Sequence, residues 1–463
     1  MGITIVQKSD LTKKRPHAVK ALILAGGAVT GGSFKAGGIK AFNDYLDGFS
    51  VCDFDIFVGM SSGSMLVAPI AAGISPESML KSLDGTSKHF SQLTAWHCYR
   101  PNVGEMIARP LKFLAQAISW LPHGMVHLAA RHREWHTKLL GAMWNFVSNP
   151  TIKNYETIVS PLKRALSRGD FPSLLALLPS GVFDNRPIES YIRENIARNK
   201  LTNDFLETFR LTGKRLYISA MRLDNAQRVI FGPDEDASVT ISEAIQASTA
   251  LPGFYRPANI NGVDYVDGGV HETADIDVAV DKGAELIVCY NPFRPYEPKE
   301  FVEGFRRSRS EGKRLAADGI MTVLNQILRA FFYARLRVAI DRFRSSRDFA
   351  GDIVLIEPRS DDAAFFSLNP LSLRNRIAAA KMGFESVRSS IDEKFDELSP
   401  IMASYGIKMN RGGVEEKWKR LADPHASEDE IRRVLEGRNG ATAEGGRHRA
   451  TRRGFGKSRR GKK

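Results

Sequence analysis

Apolar residues fall in short, well-separated runs along the first part of the chain. Val19-Lys20-Ala21-Leu22-Ile23-Leu24 reads as a strand, followed by the glycine-rich stretch Ala25-Gly26-Gly27-Ala28-Val29-Thr30-Gly31-Gly32. From Ser33 the apolar spacing turns helical, through Phe34, Ile39, Ala41 and Phe42. Phe54-Asp55-Ile56-Phe57-Val58 then reads as a short buried strand, and Met65-Leu66-Val67-Ala68 as the start of a second helix. Pro69 removes a backbone donor and should bend or shorten that helix before Gly73-Ile74-Ser75-Pro76. Strand, loop, helix, strand, turn, helix is the alternation of a βαβ unit, which implies a largely parallel sheet.

Further strand candidates are Arg215–Ala220, Arg228–Phe231, Val263–Val266, Glu285–Tyr290 and Asp352–Ile356. Ile320, Val323, Leu324, Ile327, Leu328 and Phe331 recur at helical spacing between the last two. No internal repeat is present. The pattern predicts a polar, basic N-terminal arm over residues 1–18 and one α/β domain over 19–400, interrupted by a helical insertion at about 101–150. A C-terminal helical extension over 401–437 and a basic tail over 438–463 complete the chain.

Composition narrows the class. A hydrophobic content of 43% over 463 residues is enough for a large core. Cys52, Cys98 and Cys289 are odd in number and form no close pair, which suggests a reducing compartment and neither a disulfide framework nor a zinc site. No early stretch has the form of a signal peptide, so the expectation is a cytoplasmic protein. The net charge of +14 is uneven: the tail from Arg438 carries +9 and almost no apolar residues, so it should be disordered. Such a tail suits solubility or attraction to an anionic surface, whether phospholipid or nucleic acid.

The insertion Arg109–Val147 carries Trp120, Trp135 and Trp144 beside Arg109, Lys112, Arg131, Arg133 and Lys138. Lys112, Pro122 and the histidines make it a poor transmembrane span, and it suits equally a membrane interface or a cap over the core. His123/His127 and His132/His136 have i, i+4 spacing, but only Glu134 could join them, so surface histidines are expected and no metal or cofactor.

The candidate chemistry lies in Gly59-Met60-Ser61-Ser62-Gly63, which has the form G-x-S-x-G on a strand-to-helix turn. That turn can expose a serine hydroxyl at a sheet edge if its neighbours are small; a plain glycine–serine loop is the other reading. The glycine-rich loop after the first strand, with Ser62 just after the serine, could direct backbone amides at a developing oxyanion. Neither nucleotide-binding glycine pattern is spelled there. Asp267 ends a strand candidate before Gly268-Gly269, a turn that could present its carboxylate at the same edge. His271 is the only histidine nearby, and reads as a loop residue.

Taken together, "LILAGGAVTGGSFKAGGIKAF", "GMSSG" and "ASTALPGFYRPANINGVDYVDGG", in this order, resemble the patatin-like phospholipases. The resemblance continues through "GVFDNRPIESYI" and "RLYISAMRLDNAQRVIFG", spanning about Val19 to Pro292. It implies a three-layer α/β sandwich with a mainly parallel central sheet, Ser61 as nucleophile, Asp267 as its partner, and an oxyanion hole from Gly26, Gly27 and nearby amides such as Ala28. The expected activity is hydrolysis of carboxylic esters in phospholipids or other acyl lipids through an acyl-enzyme, with peripheral contact to anionic membranes. The alternative is a weakly active or inactive relative that binds membrane or nucleic acid. One departure from the family pattern stands out: Gly26-Gly27-Ala28-Val29-Thr30-Gly31 lacks the third glycine and the basic residue usual in the loop, and is one residue longer. A carboxylate can serve as base without histidine if burial raises its pKa toward neutral.

Overall fold

Along the central strands, side chains alternate between two separate cores. Leu22, Leu24, Phe57, Leu216, Ile218, Leu286, Val288 and Val354 enter one. Ala21, Ile23, Ile56, Val58, Tyr217, Ile287, Cys289 and Ile353 enter the other. Strands buried on both faces belong to a parallel sheet covered by helices on each side. The computed structural model describes residues 2–82, 87, 90–113, 115–116, 135–149, 151–165, 174–297, 315–421 and 427–435.

The strands of the main sheet are β1 (Ile3–Val6), β2 (Lys20–Leu24), β3 (Ile56–Met60), β4 (Arg215–Arg222), β5 (Arg228–Phe231), β6 (Ala258–Ile260), β7 (Val263–Asp267), β8 (Leu286–Tyr290) and β9 (Asp352–Ile356). Five of them run parallel in the order β9-β8-β2-β3-β4. Antiparallel strands close both sides: β1 on β9, β5 and β7 on β4, and β6 on β7. Helices α1 (Ala28–Tyr45), α2 (Ser62–Ala71) and α3 (Ile241–Ser248) cover the first core. The second core is covered by α4 (Ile276–Asp281) and the later turns of α5 (Ile320–Ser345), while α6 (Arg376–Ser404) returns to the first face. The fold is a three-layer α/β sandwich with a parallel centre.

The strand patterns match closely from β2 to β9 except for the short β6, which the pattern did not predict, and two further differences lie outside these strands. Residues 1–18 are not wholly an arm: Ile3–Val6 form an edge strand, with Ile3 and Val6 buried. Its partner β9 lies some 350 residues away, so nothing local marks the pairing. The Asp352 carboxylate fastens this segment, accepting from the Lys8 and Ser9 amides at 2.8 and 2.9 Å and from the Tyr405 hydroxyl at 3.0 Å. At the other end, α6 runs unbroken through residue 400, and Val414, Leu421, Val434 and Leu435 join the first core, so the extension is integral to the domain.

The helical excursion leaves the body at Pro101, which bridges to Phe183, where it returns. Helices over 103–113, Trp135–Ser148 and Ile152–Ala165 lie within it. Trp120, His123, His127, Arg131, His132, Arg133 and Glu134 fall outside the described residues, as does the tail from residue 436 onward. Among the described residues no helix is long and apolar enough to cross a membrane.

Candidate active site

Strand β4 brings the serine and the aspartate together. Its Ser219 pairs with Met60 of β3, and the next residue, Ala220, pairs with Asp267 of β7. Strand β5 occupies the opposite flank at both positions, through Ile230 and Val229. A strand has only two flanks, so Met60 and Asp267 lie end to end along the same one, and Ser61 turns off beside Asp267.

Ser61 sits at φ 50°, ψ −130°, a conformation that is strained for a serine. Its amide donates to Ser248 Oγ at 2.8 Å, and its carbonyl accepts from the Ser64 amide at 2.9 Å. The flanking glycines are imposed by close approach. A Cβ on Gly63 would lie 1.9 Å from the Leu24 carbonyl oxygen, and one on Gly59 2.4 Å from Val67 Cγ1. The turn is therefore clamped between β2 and α2, with the hydroxyl at the carboxyl ends of the parallel strands, where α/β sheets form their crevices.

Asp267 is only 4% exposed. The Ser61 side chain stands beside its carboxylate and favours the charged form, and the Gly269 amide donates to Oδ1 at 2.9 Å. Burial pushes the carboxyl up to about 6, against the opposing pull of those neighbours and of the Lys35 charge. Gly268 packs against Ser219, where a Cβ would stand 2.7 Å from Oγ. His271 is exposed and does not line the cavity described below. A carboxylate of this basicity, beside a serine hydroxyl, can take its proton.

The Gly26–Ala28 loop lies directly against Ser61: a Cβ on Gly26 would be 3.3 Å from Ser61 Cβ and 2.9 Å from Phe293 Cε2. The amides of Val29 and Thr30 both donate to the Pro370 carbonyl at 3.0 Å, which removes them from any oxyanion hole. Gly26, Gly27 and Ala28 have amides without a protein acceptor among the described residues. Ser62 opens α2, so its amide has no intrahelical acceptor either. The extra loop residue is thus absorbed by the contact with Pro370.

The basic residue absent from the loop is replaced from below, by a lysine that the sequence reading did not single out. Lys35 on α1 is fully buried, and its Nζ donates to the carbonyls of Ala25 and Gly26, the latter at 3.0 Å, and to Ser62 Oγ at 3.2 Å. Burial pushes the ammonium down to about 7, with Asp267 opposing. The two carbonyls belong to the peptide units whose other ends are the Gly26 and Gly27 amides. A cation on the oxygen end polarises each unit and strengthens its N–H as a donor. The only sequence signal was a lysine inside an apolar helical stretch, Phe34-Lys35-Ala36.

Ser61, Asp267, Gly26, Ala28 and Ser62 all line one cavity of about 1350 Å³. Its walls are mainly apolar, with Met65, Leu66, Ile192, Phe254, Leu328 and Phe366 among them, and no histidine lines it among the described residues. That volume exceeds the roughly 300–1,000 Å³ common for small-ligand sites. Among the described residues no cluster of three metal-ligating side chains exists. Nucleophilic acyl transfer at an ester carbonyl is the chemistry this arrangement can perform.

Comparison with known proteins bears on the same residues. A stretch of 78 residues is 33% identical to the uncharacterized protein YjjU of Escherichia coli (strain K12), covering 17% of this chain and 21% of that one. Another of 102 residues is 26% identical to the probable lipid hydrolase 463L of Invertebrate iridescent virus 6, covering 22% and 35% respectively. The matched stretches thus span about a fifth to a third of these relatives' lengths. Among solved structures, VipD of Legionella pneumophila aligns at a TM-score of 0.34 and 15% identity, over 85% of this chain and 70% of that one. ExoU of Pseudomonas aeruginosa, solved in complex with SpcU, aligns at 0.23 and 13%, over 94% and 72%. At these scores the structural likenesses add nothing to the assignment. The model of the patatin-like phospholipases, by contrast, matches residues 22–280, from β2 through α4, more than half of the chain and both motifs. The chain belongs to the patatin-like phospholipase family, a family of lipid hydrolases.

Proposed function

We propose that this protein is a serine-dependent lipid acyl hydrolase, of phospholipase A, lysophospholipase or esterase type. Asp267 accepts the Ser61 proton as Oγ attacks the ester carbonyl. The amides of Gly26, Gly27, Ala28 and Ser62 receive the charge that develops on the carbonyl oxygen. Collapse of the tetrahedral intermediate expels the alcohol, which takes the proton from Asp267 and leaves an acyl-enzyme. Asp267 then draws a proton from water, the hydroxide attacks the acyl-enzyme, and collapse releases the fatty acid while Asp267 returns the proton to Ser61 Oγ. The observation that carries this reading is the juxtaposed Ser61–Asp267 pair, the serine on a strained turn, opening into a large apolar cavity.

A fluorophosphonate probe should label the wild-type protein on Ser61 and leave Ser61→Ala unlabelled. An unlabelled wild type with an intact fold would favour a binding protein on the same scaffold, membrane- or nucleic-acid-directed through the +9 tail.

A cytoplasmic enzyme of this kind would meet its substrate by docking peripherally on anionic membrane. Exposed Ile107, Leu111, Trp144 and Val147 on the excursion supply apolar anchors, and each tail cation adds about 1 kcal/mol near such a surface. Truncation after Gly437 should weaken sedimentation with anionic vesicles far more at low salt than at high salt. Loss of RNA binding alone would redirect the tail to nucleic acid.

A further inference from the structure

Lys20, Lys35, Lys40 and Arg329 are buried cations among the described residues. Lys40 meets Asp44 and Glu77, Lys20 donates to the carbonyls of Pro16 and Ala18, and Lys35 holds the loop beside Ser61. Arg329 on α5 is the arginine of this set. It is only 6% exposed and lines the same cavity as Ser61 and Asp267. Its Nη1 donates to the carbonyls of Pro292 at 3.0 Å and Arg294 at 3.2 Å, and its Nε to Asn325 Oδ1 at 3.3 Å. The guanidinium carbon stands 5.1 and 5.2 Å from the ring centroids of Phe365 and Phe366. Among the described residues no carboxylate pairs with it, and its Nη2 has no protein acceptor.

Burying a charge without a counter-charge costs several kcal/mol, and carbonyls with two aromatic rings offset only part of that. Burial pushes the guanidinium down to about 10, so it remains a cation at neutral pH. The fork is half used: one edge is tied to the protein, and the other is left for a ligand. Its place relative to the ester site is also set. Pro292, whose carbonyl it grips, packs on Gly27, where a Cβ would lie 2.7 Å from Pro292 Cγ. Phe293 packs on Gly26 and stacks near Phe332 of α5, with ring centroids 4.6 Å apart. The cation is therefore fixed to the strip that backs the loop beside Ser61.

We propose that the free edge of Arg329 binds the phosphate of a lipid headgroup, so that the cavity selects phosphate-bearing acyl esters over neutral ones of the same chain length. A planar guanidinium is suited to phosphate oxygens, and the apolar walls strengthen the attraction by excluding water. The inference rests on the cavity being the lipid site proposed above.

The test separates the two. Wild type and Arg329→Gln are titrated with a non-hydrolysable alkyl-glycerophosphate, with the alkylglycerol of equal chain length, and with inorganic phosphate. Wild type should bind the alkyl-glycerophosphate at least tenfold more tightly than either other probe. Arg329→Gln should lose that preference while keeping its affinity for the alkylglycerol within about twofold. Arg329→Lys, which keeps the charge but not the fork, should fall between them, and it serves as the second variant if Arg329→Gln melts early. Equal loss for both lipids would make Arg329 only a brace for the 292–294 segment and overturn the proposal. No change for either lipid, or equal affinity for inorganic phosphate and the lipid phosphate, would overturn it as well. Binding requires no turnover, so a wild type that hydrolyses no ester would sink the hydrolase reading while this titration still decides the role of Arg329.

Discussion

The Ser61–Asp267 corner and the Gly26–Ala28 loop face the same cavity, yet they are held in different ways. The corner is fixed by the sheet. One flank of β4 sets Met60 and Asp267 on adjacent rungs, and the Gly59 and Gly63 contacts leave the turn no room to move. The loop is fixed by distant segments and by one nearby side chain: Pro370 caps Val29 and Thr30, Pro292 and Phe293 pack on its glycines, and Lys35 of the following helix grips its carbonyls. Backbone register makes the first arrangement rigid. The second depends on side chains, one of them a buried cation, and is the softer half of the site.

The largest effect should come from the corner. Ser61→Ala and Asp267→Asn should each lower ester turnover by about 10⁴-fold, and the double variant should be little worse, because residues acting as a unit are not additive. Near-additive losses in a steady-state assay would show that the two do not act together. Gly63→Ala tests the clamp itself. The added Cβ collides with the Leu24 carbonyl, a backbone atom that cannot swing away, so about 3 kcal/mol of stability should be lost by urea titration. A loss under 1 kcal/mol would mean that the corner is as pliable as the loop.

The loop should respond more mildly, and through pH. Lys35→Met should lower kcat by about tenfold, less than deletion of a whole oxyanion donor, with KM little changed. The wild-type profile should fall below about pH 6, where Asp267 gains a proton and no longer accepts one from Ser61. It should fall again above about pH 7, where Lys35 loses the charge that polarises the loop. In Lys35→Met the alkaline limb should vanish, and the acid limb should move to higher pH, since Lys35 holds the Asp267 carboxyl down. The melting temperature should not drop, because a lysine driven toward its neutral form gives up stability whenever it is charged. An unchanged alkaline limb would remove Lys35 from the mechanism. Ser248→Ala should have the smallest effect, about 1 kcal/mol in stability and a few-fold in kcat, as the Ser61 amide loses its acceptor.

The strands that carry the site were legible as short apolar or alternating runs bounded by glycine or a polar turn, and β5 and β9 fall where the pattern puts them. The serine and aspartate motifs could be read because each is a short residue pattern, although the crowding that demands Gly63 and Gly268 comes from Leu24 and Ser219, far away along the chain. Lys35 and Arg329 could not be read so. Each lies in a helical stretch, and what sets it apart is burial against carbonyls, those of the loop just before its own helix for Lys35 and those of Pro292 and Arg294 for Arg329. The N-terminal strand was hidden for the same reason, since its pattern gains meaning only beside β9.

The sequence by itself determined the alternating α/β order, the apolar runs of the central strands and the identity of the two turns that end at the cavity. Those features follow from local periodicity and from short residue patterns. Only the tertiary structure decided that Met60 and Asp267 share one flank of β4, and that Pro370 takes two amides from the loop while Lys35 holds its carbonyls. The physical reason is the range of the interactions. Hydrophobic patterning is short-ranged along the chain, whereas strand register and most of the close contacts at the site depend on which distant segments the folded core presses together.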